Sequence, residues 1–423
     1  MKRAFISAFL LLVVSLILAG GTWFIFSAQH NPDFTDPRRS VYILLGAFWA
    51  GWAFTAFRRG DSILVPLVSC MCTLGWLELY RLGPMIEDPT LSFRHACHIA
   101  AGFVCFIIIT LFLRDYRRLE DYKYSFLVGG ILIQIPLFFL GIKKNGAALW
   151  YDIGGISLQP GEFVKICIVI FLAGYLHQFR HWIRLGLRAK NRDGALARSA
   201  LFKLGLGMAC AECVYVKQSD LGMALILFMV FVAVFYMATG RKDILLAASV
   251  LSAVGACVCY KYYAHVQERV DIWLDPFKAF ETKGYQLSQA LFALANGGLD
   301  GTGLGMGEPF LVPIPESDFM FVALCEELGL IGGVAILAII IMLCTRCFRI
   351  ALASSDEFGN LAAGGFAALL ASQSIVVIYG VLKMMPMTGV TLPFMCAGGC
   401  SIVSCFIILG LLWCISAEAK YGD

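Results

Sequence analysis

Apolar runs of about 20 residues alternate along this chain with short polar breaks. A helix of that length crosses the roughly 30 Å of bilayer hydrocarbon while closing its own backbone hydrogen bonds. The pattern predicts an all-α polytopic membrane protein of about twelve transmembrane helices. Their expected positions are 5–28, 41–58, 62–80, 95–113, 124–141, 161–179, 200–216, 220–240, 243–262, 319–345, 358–381 and 395–416. The opening MKR and its apolar run outlast the hydrophobic stretch of a cleaved leader and lack a small-x-small site, so a retained first helix is expected. One break stands apart. It runs from 263 to 318 and ends in GYQLSQALFALANGGLDGTGLGMGEPFLVPIPESD, just before the tenth span.

Composition agrees with the pattern. Hydrophobic residues make up 60% of the 423 and charged residues only 15%, against about 25% charged in soluble domains. Mean hydropathy is +0.79. The formal charge of +4 is spread through the breaks rather than gathered on one face, which gives nucleic-acid binding no support. The 16 cysteines fall almost entirely inside apolar runs, where cysteine behaves as a small hydrophobe. Two CxxC spacings, Cys210 with Cys213 and Cys344 with Cys347, have no second ligand pair nearby.

Lys and Arg set the orientation. RRG at 58–60 and RHWIRLGLRAKNRDGALAR at 180–198 read as cytoplasmic, which places both chain ends in the cytoplasm. The breaks 142–160, 263–318 and 382–394 then lie outside. With no soluble segment or repeat, residues 1–423 are expected to form a single membrane domain.

Ionisable residues at membrane depth are costly, about 2.5–3.5 kcal/mol each, so they mark candidate chemistry. Glu162 and Lys165 in QPGEFVK share a helix face; either they neutralise each other or they line a polar cavity. Asp220 in KQSDLG opens a span, where capping and chemistry are both open to it. Asp318 stands where the glycine-rich break meets an apolar span, and it too reads as a helix cap or as a reacting group. Helical phase puts position 325 or 326 on the face of Asp318, so Glu326 either shares that polar cavity or bonds to a neighbouring helix. The glycines at 297, 298, 301, 303 and 305 let backbone approach a ligand, and Gln286 and Gln289 offer groups suited to a sugar.

Five ordered motifs carry a resemblance: NGAALWYDIGGISLQPGEFVK, KQSDLG, GYQLSQALFALANGGLDGTGLG, SDFMFVALCEELG and PMTGVTLPFMCAGGCS. Together they resemble the SEDS family (shape, elongation, division and sporulation) of FtsW/RodA/SpoVE type, from about Asn145 to the chain end. Residues 1–141 then form divergent N-terminal helices, with two beyond the family's ten-helix core, and 142–423 the motif-bearing core. The chain departs from the family pattern at Leu149, where an arginine is common, at Ser219, where a proline is usual, and in PESDF, which lacks a histidine.

The resemblance implies a peptidoglycan glycosyltransferase that polymerises lipid II outside the cytoplasmic membrane, with Asp318 as catalytic base. It implies Lys165 and Lys383 at the departing diphosphate, and Glu162, Gln286, Gln289, Glu326 and Trp150 around the substrate. It also implies a divalent cation (Mg or Mn) arriving with the diphosphate, without a dedicated metal site, and a class B penicillin-binding protein with divisome or elongasome proteins as partners. Two other classes compete: a lipid II flippase, and a non-enzymatic scaffold for the transpeptidase.

Overall fold

The computed structural model describes residues 2–28, 36–113, 115–144, 147–154, 156–185 and 192–419. Asn145, Gly146 and Gly155 of the first motif, residues 186–191 of the basic loop and Lys420 lie outside the described residues.

Helices α1 (Lys2–Ala28), α2 (Arg38–Ala56), α3 (Leu64–Met85) and α4 (Leu91–Phe112) come first. A single turn, α5 (Arg118–Asp121), precedes α6 (Lys123–Gln134) and α7 (Leu137–Leu140). Strands β1 (Ile142–Lys144), β2 (Ala147–Ile153) and β3 (Ile156–Leu158) follow. Next are α8 (Gly161–Leu185), α9 (Arg192–Lys217), α10 (Leu221–Thr239) and α11 (Lys242–Tyr262). The chain ends with α12 (Ala264–Leu274), α13 (Tyr285–Gly297), α14 (Met320–Ala353), α15 (Glu357–Val381) and α16 (Gly399–Glu418).

Among the described residues, 10 helical segments are long and apolar enough to cross a membrane. Each expected span has a helix at its place. The two outside the ten are α2, which opens on Arg38 and Arg39, and α3, which carries Glu78 and Arg81.

Two of the breaks hold more order than expected. The 142–160 break is a three-stranded antiparallel sheet in the order β1-β2-β3, and Ile153 pairs with Ile156 across a two-glycine step in the sequence. A two-residue Gly-Gly step between apolar stretches is a hairpin signal. The 263–318 break holds α12, α13 and the one-turn helices Pro276–Ala279 and Pro309–Leu311.

The chain forms two compact units. The first comprises Met1–Phe112, Tyr263–Arg346 and Gln373–Trp413; the second comprises Leu113–Tyr262, Cys347–Ser372 and Cys414–Asp423. In the first, α1 packs on α3 and α2 on α4. Small residues admit close approach between membrane helices: at Gly102 a Cβ would stand 2.2 Å from the Phe406 ring, which itself lies 4.6 Å from Phe103. Trp49 and Trp52 on α2 donate to Ser15 and Ser7 on α1 at 3.2 and 3.1 Å. In the second unit, α8 is the central element, packed by α6, α9 and α10. Tyr116 donates to Asp356 at 2.6 Å and Arg117 meets Glu418 at 2.6 Å, fastening the start of α15 and the end of α16 to the turn before α5.

Candidate active site

The entry to α14 sets the geometry. Phe319 and Met320 are fully buried and hold the first turn in place, with Asp318 half-buried just before them. Ser317 Oγ donates to Asp318 Oδ1 at 2.8 Å, and among the described residues this is the hydrogen bond its carboxylate receives. Among the described residues no helix N–H donates to it. Asp220 behaves differently: it caps α10 by accepting from Met223 N at 3.0 Å. The two aspartates, alike in sequence context, therefore part company.

A small pocket opens beside Asp318, lined also by Val376, Val377, Gly380, Met387 and Thr388. Gly389, at φ +68°, passes so close that a Cβ there would lie 3.6 Å from Asp318 Oδ2. Burial pushes the Asp318 carboxyl above its ordinary value, while the Ser317 bond and the positive charge of Arg269 hold it down. Arg269, on α12, is anchored by donating to the Met387 carbonyl at 3.2 Å. The segment is pinned on either side. Gln286 donates to the Pro313 carbonyl at 2.8 Å, and Ala397 N donates to the Glu316 carbonyl at 2.8 Å.

The other expected residues take varied places. Gln289 lies one turn beyond Gln286 on α13. Lys383 is half-buried at φ +58°, its carbonyl accepting from Trp273 Nε1 at 3.1 Å. Trp150 sits in β2 opposite Ile142. Glu162 and Lys165, in the second unit, form an ion pair at 2.7 Å with Lys165 fully buried.

Glu326 takes the second of its two expected places, bonding to the neighbouring helix α13. It does not line the cavity at Asp318; its Oε1 accepts from Asn296 Nδ2 at 2.9 Å and Glu308 N at 3.1 Å. Helical phase gives the face a residue occupies but not what the fold brings against it.

Sequence reasoning passed over Ser317 and Arg269. An arginine inside a break otherwise read as sugar-binding was the available signal for Arg269. The contact of Gly389 with Asp318 has no local signal.

These features define a multi-pass helical membrane protein with a half-buried, uncapped carboxylate at a helix entry. The family model described as cell cycle protein, covering FtsW, RodA and SpoVE, matches residues 64–421, and the chain belongs to that family. The match begins at α3, well before Asn145, so the resemblance reaches further toward the N-terminus than the motifs indicated.

Relatives include the peptidoglycan glycosyltransferase RodA of Mycobacterium tuberculosis (strain ATCC 25618 / H37Rv), 35% identical over 88% of this chain and 81% of the relative. Stage V sporulation protein E of Bacillus subtilis (strain 168) is 28% identical over 85% of this chain and 98% of its own length. Among solved structures, a chain from a peptidoglycan synthase complex that coordinates polymerization and crosslinking superposes with a TM-score of 0.70 at 26% identity, covering 86% of this chain and 99% of that one. The crystal structure of Thermus thermophilus rod shape determining protein RodA superposes with a TM-score of 0.62 at 23% identity over the same shares.

Proposed function

We propose that this chain is a peptidoglycan glycosyltransferase that polymerises lipid II on the outer face of the bacterial cytoplasmic membrane, acting as a single membrane domain with both ends cytoplasmic. The names of its relatives support the activity. One observation carries the site: the Asp318 carboxylate is withheld from capping α14, half-buried beside a cavity and oriented by Ser317.

In this reading Asp318 takes the proton from the acceptor GlcNAc 4-hydroxyl as its oxygen bonds to C1 of the donor MurNAc. The C1–O bond to the diphosphate breaks, undecaprenyl diphosphate leaves with the electron pair, and the α-linked donor becomes a β-1,4 bond by inversion. Base assistance of this kind contributes about 10²–10⁴-fold. The Gln286 amide nitrogen holds Pro313, which leaves the amide oxygen to accept from a sugar hydroxyl. Gln289 extends that polar face, and Trp150 shapes the outer rim. Lys383 supplies positive charge for the diphosphate.

Among the described residues no three His, Cys, Asp or Glu side chains converge to hold a metal. A divalent cation carried by the diphosphate is part of the substrate. The structural neighbour's pairing of polymerization with crosslinking supports a transpeptidase of the class B penicillin-binding type as partner.

The test uses purified protein with labelled lipid II and divalent cation, with and without the transpeptidase, beside Asp318→Asn. Wild type is expected to make glycan polymer. The Asn variant, near-isosteric and equally able to cap a helix, is expected to fold and lose at least about 100-fold in rate. Equal polymerisation by Asp318→Asn removes Asp318 as base. Movement of lipid between leaflets by a wild type that makes no polymer replaces the enzyme with a transporter.

A further inference from the structure

One cluster of buried charge lies apart from the residues assigned above. On α3, Glu78 and Arg81 stand one turn apart and are 0% and 2% exposed. Arg81 Nη1 pairs with Glu327 Oε1 at 2.6 Å, and Arg81 Nη2 donates to the Gly307 carbonyl. The other oxygen of Glu327 accepts from Gly305 N at 2.9 Å. Next to it, Glu326 Oε1 takes the N–H of Glu308 and the side-chain amide of Asn296.

The backbone joins in. Gly329, at φ 66° and ψ −171°, breaks α14 and frees the carbonyls of Glu326 and Glu327 from helical bonding. Thr302 N and Gly303 N donate to them at 3.0 Å each. Beyond the break, Leu330 N and Ile331 N donate to the carbonyls of Gly298 and Leu299. Residues 298–308 are thus laced onto the broken stretch of α14, and Arg81 is the cation that fastens both sides at once.

We propose that Arg81 is a positioning residue, and that Arg81 with Glu327 forms a latch holding the 301–308 loop, and through it the segment ending at Asp318, in the geometry that turnover requires. This rests on the glycosyltransferase reading. The chemistry of the latch calls for arginine. A planar guanidinium serves a carboxylate and a carbonyl together, whereas an ammonium is a point charge that serves one well. Burial of such a pair is weak evidence for stability, because well-packed apolar residues of similar volume often do as well. Its distinctive contribution here is geometric. The path from latch to site is short: Gly307 leads into the Pro309–Leu311 turn, then to Pro313, held by Gln286, and on to Ser317 and Asp318.

Arg81→Met is expected to misfold, because it leaves buried carboxylates without their cation. The deciding variant is therefore Arg81→Lys, with Glu327→Gln beside it, in the full chain in detergent or nanodiscs. Amide hydrogen exchange at Gly303, Gly305 and Glu308 is expected to rise roughly tenfold in both, with α13 and α16 unchanged. With lipid II, kcat is expected to fall about 10- to 100-fold while KM stays within about twofold, as a small misplacement of reacting groups dictates.

Wild-type exchange and wild-type kcat in Arg81→Lys overturn the proposal. So does a uniform rise of exchange across the chain, which marks a general brace. The exchange measurement needs no polymerisation. A wild type that makes no glycan therefore overturns the function proposed above and leaves exchange alone to decide the latch.

Discussion

At the scale of the residue, a carboxylate works as a base only when it is ionised and not already committed to the backbone. Asp220 is committed to Met223 N; Asp318 is not committed to α14. Its tuning rests on two neighbours. Ser317 donates to the charged form and Arg269 attracts it, so both lower a carboxyl that burial raises.

Removing the donor in Ser317→Ala takes away a lowering influence, and the Asp318 carboxyl then titrates at higher pH. Because the base must be deprotonated, the acid limb of kcat/KM for glycan formation is expected to move to higher pH, with the plateau above it little changed. A limb that stays in place or moves to lower pH contradicts the assignment. From the sequence, Asp318 was legible as a residue of interest through its position between a glycine-rich break and an apolar run. Whether it capped the helix was not legible, since Ser/Asp before a helix start reads as a cap whatever the side chain does in space.

At the scale of the element, α14 is the informative one. Its apolar run predicted a single helix from 319 to 345, and the run itself carries no sign of the break at Gly329 other than the glycine. The structure needs that glycine twice over. Its φ and ψ lie in a region essentially restricted to glycine, and a Cβ would stand 2.3 Å from Gly301 N.

Gly329→Ala is expected to destabilise by at least about 1–3 kcal/mol from the backbone conformation alone, with more from the clash. A thermal-unfolding scan in detergent checks it, with Gly20→Ala as the control because nothing lies within 4 Å of that site. Equal midpoints for the two variants exclude the break. Helices α12 and α13 were hidden for a related reason: they are short, 11 and 13 residues, and sit in a stretch whose glycines and prolines read as irregular backbone.

At the scale of the whole molecule, the charged ends of the apolar runs bear on orientation. If the 263–318 segment is external and the 240–243 turn cytoplasmic, a cysteine placed at exposed Lys278 is expected to react with a membrane-impermeant maleimide in intact cells. One placed at Lys242 is expected to react only after permeabilisation. The parent chain supplies the background from its own 16 cysteines. Reversed labelling would place the glycine-rich segment and Asp318 in the cytoplasm, away from the outer face where the proposed reaction takes place.

The sequence by itself determined what is local. Runs of apolar residues dictate membrane helices because burying a helical backbone in lipid needs no partner segment, and ordered motifs mark a family because they are read along one line. The positions of the long helices, the prominence of Asp318 and the shared helix face of Glu162 and Lys165 were all of this kind. Only the tertiary structure decided which carboxylates are occupied and by whom. Glu326 faces the loop amide of Glu308 and the Asn296 side chain rather than the cavity at Asp318, and Arg81 meets Glu327 and Gly307 from a distant helix. Buried polar groups take whatever partner the fold brings within hydrogen-bonding distance, and that partner can lie anywhere in the chain.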